Sequence, residues 1–406
     1  MNKKHISLII LVLIIGAIFV PSCKAYFKNE NRVLINNYEK ATNEIFFEKY
    51  IELLMRFAHK PSASVCIIKD EKVVWSKGYG LYDIEKNKKA QTNTLYLSAS
   101  ISKTITATAL MQLYEQDLFE LDEDVNNYLP FNLRNPNHPD NPITFRMLLS
   151  HRSSLAGDNS FWICLSYVPG DPDIPDYPYP WLKEYLTPNG SAYSPIIWSK
   201  NHPGEKYSYA NVGYAIIGYL VEILSGKNFN QYCKDNIFEP LEMYNTSFRL
   251  KDVNISNLAI PYEYKKGSYI QHPHYNMYVL HPAGSMRTSV EELSHFLIAF
   301  MNGGVWNGIR ILNSNTIEMM HKDHYNPNDE KYGLGWMLGT SIFGKKEIGH
   351  SGGWPGVHTL MRYRPEDKTT VILFTNSMSP TYDVTLFEIF AFRIMFKSFF
   401  IKEKIL

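Results

Sequence analysis

The chain has 406 residues, 45% apolar and 20% charged, which suits one large domain or two modest ones and excludes a disordered or wholly membrane-embedded protein. A formal net charge of +1 gives no electrostatic reason to expect nucleic acid as a partner. Four cysteines, Cys23, Cys66, Cys164 and Cys233, do not make a disulfide framework in a chain this long, and Cys66 reads as a small buried side chain.

In chain order, the first segment reads as an export signal. Asn2-Lys3-Lys4-His5 is a short basic region, and Ile6–Val20 is an uncharged, almost wholly apolar run. That run falls short of the roughly 20 residues a spanning helix needs, so a signal peptide is favoured over an uncleaved anchor. Val20-Pro21-Ser22-Cys23 also resembles a bacterial lipoprotein box, in which Cys23 would carry the lipid. Residues 1–23 are therefore expected to be a signal peptide or a membrane or lipid anchor, residues 24–35 a linker, and residues 36–406 the folded domain. Localisation is expected to be extracytoplasmic, either secreted or membrane-anchored.

Asn36–Ala58 should form an amphipathic helix that ends before Pro61. Ser62–Lys69 and Val73–Tyr79 read as a hairpin turning at Asp70-Glu71-Lys72. In Leu95–Glu115, Lys103 is the only charged residue before Glu115, and Ile101, Ile105, Ala109 and Leu113 recur at helical spacing from Ser100 onward. Thr144 can cap a short helix through Leu149. Ser153–Pro203 is irregular and aromatic (Trp162, Tyr167, Tyr177, Tyr179, Trp181), the text of a packed loop over a site or of a self-packed surface loop.

Helices resume at Asn211–Leu224 and Phe229–Ile237, and Ser289 with Glu292 forms a capping box for Val290–Met301. Strands follow at Tyr332–Thr340, Lys345–His350, Val357–Tyr363 and Thr369–Asn376, with Arg364-Pro365-Glu366-Asp367 as a turn, and Tyr382–Lys397 closes the chain as a helix. Strands at both ends with helices between imply an α/β (α+β) fold. An antiparallel sheet built from N- and C-terminal strands is flanked by helices, and an all-helical insertion, about residues 105–330, faces it across a cleft.

Three groups in this text can carry chemistry. A lysine in apolar surroundings, if buried, loses hydration and is pushed towards its neutral form, and Lys103 lies one helical turn from the Ser100 hydroxyl. Such a pair is a plausible activated nucleophile, although S-x-x-K alone is also what a capping serine beside a surface lysine looks like. Tyr209-Ala210-Asn211 offers a proton-passing phenol and an amide able both to donate and to accept. Singly, each reads equally as a packed aromatic or a helix cap. His350-Ser351-Gly352-Gly353 ends a predicted strand.

Together and in this order, SISK (Ser100–Lys103), YAN (Tyr209–Asn211) and HSG (His350–Gly352) resemble the serine beta-lactamase and penicillin-binding protein family, in its class C-like branch. The flanking text ITFRMLLSHRSSLAG, PAGSMRTSVEEL, YGLGW and GHSGGWPGVHT is similar too, and the resemblance runs from about Tyr38 to Asn376. It implies that Ser100 is the acylated nucleophile and Lys103 its activator. Tyr209 would move protons to the leaving group, and Asn211 would bind the substrate amide. The backbone N–H groups of Ser100 and Gly353 would form the oxyanion hole, with His350, Ser351 and Gly352 lining the opposite wall.

One position departs from the pattern. Class C beta-lactamases carry lysine where this chain has His350, and a histidine supplies no fixed charge near pH 7 for a substrate carboxylate. The resemblance therefore implies an esterase, a D-amino-acid amidase or peptidase, or a weak beta-lactamase, acting through an acyl-enzyme on small peptide-like substrates. The alternative is a slow-turnover penicillin-binding or sensor-type protein that acylates but barely hydrolyses.

Gly349-His350-Ser351-Gly352-Gly353 also matches the G-x-S-x-G elbow of α/β-hydrolases. That fold requires a helix here and a downstream acid before a histidine; Trp354-Pro355-Gly356 leads instead into a strand, and only His358 follows, with no acid between. His272, His274, His321 and His324 lack metal-ligand spacing and read as loop histidines, so neither metal nor cofactor is expected. Expected partners are a small-molecule or short-peptide substrate and, through the N-terminal segment or Cys23, a membrane. The sequence specifies no oligomeric state.

Overall fold

A computed structural model describes residues 48–49, 51–156, 168–170, 179–325, 331–340 and 344–378. The expected signal or anchor, the linker, Cys23, Cys164, Trp162, Tyr167, Tyr177 and the C-terminal helix Tyr382–Lys397 lie outside the described residues. The chain divides into two units, residues 1–53 and 54–406. In the first, residues 48–49 and 51–53 are helical; in the second, so are residues 54–57.

The second unit is built on one antiparallel sheet of seven strands. They are β1 (Ser62–Lys69), β2 (Lys72–Asp83), β3 (Lys88–Lys89), β4 (Met337–Thr340), β5 (Lys346–Trp354), β6 (Val357–Arg364) and β7 (Thr369–Thr375). Their order is β4-β5-β6-β7-β1-β2-β3, so the two ends of the domain meet where β7 pairs with β1, from Ala63↔Thr375 to Lys69↔Thr369. Asp70 and Glu71 close the β1–β2 hairpin, both with positive φ (47° and 64°), which matches the right-handed twist of the flanking strands. Every residue of β7 and all but the last of β1 are buried, the pattern of strands covered on both faces.

Two strands differ from their expected limits. β5 does not stop at His350 but continues to Trp354, because its pairing with β6 persists to Trp354↔Val357. Only Met337–Thr340 of the expected Tyr332–Thr340 is a strand; Gly335, at φ +89°, turns the chain, and Tyr332 meets Met337 in an isolated bridge.

Between β3 and β4 the chain is mainly helical, with short two-stranded ribbons among the helices. Its helices are α1 (Ser102–Tyr114), α2 (Phe145–Leu149), α3 (Tyr179–Leu186), α4 (Asn211–Ser225), α5 (Phe229–Cys233), α6 (Val290–Met301) and α7 (Ser314–Met320). α3 falls in the stretch expected to be irregular; it buries Leu182, Tyr185 and Leu186, and Trp181 stacks on Tyr185. Helix α2 begins where predicted, Thr144 Oγ1 accepting the Met147 N–H at 3.3 Å. Ser289 Oγ likewise caps α6 by accepting the Glu292 N–H. Glu292 does not complete the capping box, because its carboxylate accepts from Asn245 N and Nδ2 and from Thr246 Oγ1. A tertiary set of donors outcompetes the local one.

Helix α1 is not the one-sided helix its apolar spacing implies. From Ser102 to Leu113 every residue is buried, so it runs through the interior. The threonines tolerate this by bonding backbone carbonyls: Thr104 to Ile101, Thr108 to Thr104, and Thr106 to Pro282 at 2.6 Å. α1 packs on α4 and on the single helical turn His281–Gly284, while α6 lies on β1, β2 and β7. One apolar cluster joins α1, α4, α6 and the sheet. The thiols of Cys66 and Cys233 are free and buried, and burial pushes that of Cys66 up to about 12. Among the described residues, no helix is long and apolar enough to cross a membrane.

The sheet comes close to the turn before α1 at Gly352. A methyl group there would lie 2.3 Å from the Ser98 carbonyl oxygen and 2.4 Å from Thr359 Oγ1. Thr359 Oγ1 in turn donates to that same carbonyl at 2.8 Å, binding the turn before α1 to the sheet. Gly352→Ala should therefore be destabilising by about 1–3 kcal/mol, the range for overpacking. The expected readout is a lower urea midpoint at unchanged slope; an unchanged midpoint would show that the approach is looser than described.

Candidate active site

Ser100 sits in a 3-10 turn, Ala99–Ile101, that directly precedes α1, so it is two residues ahead of the helix rather than within it. The turn is held from several sides. Ser98 bonds the Met286 carbonyl through both N and Oγ, Ser102 Oγ donates to Ala99 O at 2.6 Å, and the Met286 N–H donates back to Ser102 Oγ. Ala99 is forced to φ +48°, a left-handed conformation costly for a residue with a side chain, and this strain lies immediately before Ser100. Ser100 itself is half-buried.

Lys103 is fully buried, as its apolar context predicts. Its Nζ lies 3.1 Å from Ser100 Oγ, 2.6 Å from Asn211 Oδ1 and 2.7 Å from the Ala283 carbonyl, below the rings of Tyr209 (4.9 Å) and Tyr214 (5.6 Å). The first two motifs thus meet on one ammonium nitrogen. Asn211 is the first residue of α4, which puts its side chain at the helix start facing α1.

The third motif faces this cluster from β5. Strand alternation sets His350 and Gly352 on one side and Ser351 on the other. His350 is buried, with its ring 6.4 Å from that of Tyr209. Its Nδ1 donates to the Ser351 carbonyl at 2.6 Å, and its Nε2 accepts the Tyr332 hydroxyl at 3.0 Å, so both ring nitrogens are engaged within the protein. Ser351 Oγ lies against Met337 Sδ on β4 (3.8 Å), and nothing among the described contacts joins it to Ser100 or Lys103. Gly353, the exposed neighbour of Gly352, follows on the same strand.

Three contributors escaped the sequence reading. Tyr332, from YGLGW, holds His350; the Ala283 carbonyl, from PAGSM, holds Lys103; and His151, from LLSHRSS, stacks 4.3 Å from the Tyr209 ring. The only available signal was that these stretches resemble family text; a backbone carbonyl has no residue signature at all.

Burial, reinforced by the Lys103 charge, lowers His350 to about 3 and holds His151 well below its ordinary value, so both rings are neutral at pH 7. Burial pushes the Tyr332 hydroxyl well above 10 and keeps it protonated as the donor to His350. His321 and His358 are also lowered to about 3, and His274 to about 4, each chiefly by burial. In the unfolded chain these rings take up protons near pH 6.5. Below that pH, and down to about 3, the unfolded state binds more protons, so stability falls with acid. The thermal midpoint should be level from pH 7 to 8 and decline steadily from about 6.5 towards 4; a midpoint flat across that range would contradict the buried neutral rings.

Comparison with known proteins places this site in a family. The Beta-lactamase family model matches residues 47–389. Protein flp of Staphylococcus aureus (strain N315) is 24% identical over 336 residues, covering 81% of this chain, which spans only 62% of that relative's length. Among solved structures, the octameric penicillin-binding protein homologue from Pyrococcus abyssi superposes with a TM-score of 0.67 at 27% identity, over 81% of this chain and 72% of that one. The D-amino acid amidase from Ochrobactrum anthropi SV3 shares the fold at the same TM-score of 0.67, at 20% identity over 86% of this chain and 98% of that one. The chain therefore belongs to the beta-lactamase family, within the serine beta-lactamase and penicillin-binding protein superfamily.

Proposed function

We propose that this protein is a serine hydrolase that cleaves esters or amides of small peptide-like molecules through an acyl-enzyme on Ser100. The observation that carries this reading is the position of Lys103 Nζ, buried and within 3.1 Å of Ser100 Oγ and 2.6 Å of Asn211 Oδ1. Once the Lys103 ammonium has given up one proton, Ser100 Oγ attacks the substrate carbonyl carbon and its proton passes to the Lys103 amine, which returns to the ammonium form. The carbonyl oxygen becomes an oxyanion held by the N–H groups of Ser100 and Gly353. Tyr209 and Lys103 return a proton to the leaving amine or alkoxide as its bond to carbon breaks. Water then attacks the ester, gives its proton to the same pair, and Ser100 leaves reprotonated. Asn211 accepts from Lys103 through Oδ1, and its amide is the group that binds the substrate amide.

The wall opposite Ser100 favours neutral substrates. His350 is uncharged and both of its ring nitrogens are engaged, so it offers a substrate carboxylate neither a charge nor a free donor. Esters and amides without a carboxylate beside the leaving group fit this wall better than penicillins do.

Intact-protein mass after treatment with a fluorophosphonate, and turnover of p-nitrophenyl acetate, test the reading together. Wild type should gain one adduct and turn over the ester faster than benzylpenicillin. Ser100→Ala should take no label and lose at least roughly a thousandfold in kcat. Labelling that persists in Ser100→Ala would name another nucleophile and overturn the proposal.

A further inference from the structure

His151 lies outside the three motifs, yet it holds both backbone amides that flank Tyr209. Its carbonyl accepts the Ser208 N–H at 2.8 Å, and its Nδ1 accepts the Ala210 N–H at 3.2 Å. The tyrosine is thus tethered on either side to one residue, and its ring packs on the imidazole, centroids 4.3 Å apart and planes 35° apart. We propose that His151 is a positioning residue for Tyr209, setting the backbone from which the phenol reaches Lys103 and the leaving group. The inference rests on the acyl-enzyme reading above.

The cost of keeping a histidine here argues for a purpose beyond packing. Its backbone is left-handed, φ +57°, and the side chain is 1% exposed. Because Nδ1 accepts, the ring proton sits on Nε2, and that atom is buried with no hydrogen-bond partner among the described residues, while the rings of Tyr207, Tyr214 and Tyr332 lie around the imidazole. A buried unpaired N–H is destabilising, and an apolar side chain of similar size would avoid that cost. What an apolar residue lacks is the acceptor for Ala210. The same bond requires a neutral ring, since an imidazolium would point a second N–H at the Ala210 N–H, and burial keeps the ring neutral.

The position of the acceptor provides the test. Asparagine carries an oxygen at the reach of Nδ1, whereas glutamine carries the same amide one bond further out. His151→Leu and His151→Gln should each lose about ten- to a hundredfold in kcat on p-nitrophenyl acetate, the scale of a misplaced catalytic group. His151→Asn should recover most of that loss, and Ser100 should still take the fluorophosphonate in all three variants. In a double-variant cycle, His151→Leu should add little to Tyr209→Phe, because both remove the same contribution. Should His151→Leu fail to fold, the asparagine and glutamine variants carry the comparison with each other and with Tyr209→Phe.

Wild-type kcat in the leucine or glutamine variant overturns the inference while leaving the serine-hydrolase reading intact. So do equal losses in the asparagine and glutamine variants, or losses that multiply with Tyr209→Phe. A wild-type protein that takes no label at Ser100 overturns both.

Discussion

The site depends on one buried ammonium. Lys103 is buried away from bulk solvent, and the fold supplies acceptors from three parts of the chain: the Ser100 hydroxyl, the Asn211 amide oxygen and the Ala283 carbonyl. Burying such a group unpaired would cost several kcal/mol, so the turn before α1, the start of α4 and the His281–Gly284 turn are placed by the same requirement. Stability and the proposed chemistry coincide here, because the contacts that make the burial tolerable also bring the Ser100 hydroxyl beside the Lys103 nitrogen.

A second constraint is distance. The sheet can present its β5 backbone to the nucleophile only if nothing projects from residue 352, and glycine meets that condition against the Ser98 carbonyl. The turn at Ala99 is correspondingly strained, and the bonds from Ser98 and Ser102 to Met286 hold it in place. Close approach from the sheet and strain in the turn are two sides of one arrangement, which leaves Ser100 half-buried and reachable at the cleft.

Around this cluster the protein has placed imidazoles that carry no charge at neutral pH. His151 and His350 are both deprived of their protons by burial and by the field of Lys103. Each is oriented through its ring nitrogens, His151 towards the Ala210 amide and His350 between Ser351 and Tyr332. The result is a polar but neutral shell around one cation, a setting suited to moving protons between a serine, a lysine and a tyrosine. It offers little to hold a substrate carboxylate.

The sequence by itself located many of the described elements and brought Ser100, Lys103, Tyr209, Asn211 and His350 forward as candidates. Apolar spacing located the β1–β2 hairpin, α4 and α6, because these signals are local, whereas the sequence left Lys103 open between a buried amine and a surface lysine until the structure buried it. Ser289 and Thr144 were legible as caps for the same reason. What only the tertiary structure decided were the matters that involve distant partners. The burial of α1 on every side follows from neighbours that its own spacing does not encode. Glu292 was read as half of a capping box, but donors from Asn245 and Thr246 claimed it instead. The same holds for the Ala283 carbonyl, for the Tyr332 hydroxyl on His350 and for the His151 clamp on Tyr209. Each is a contact between segments far apart in the chain, specified by where the backbone travels and not by which residue stands beside which.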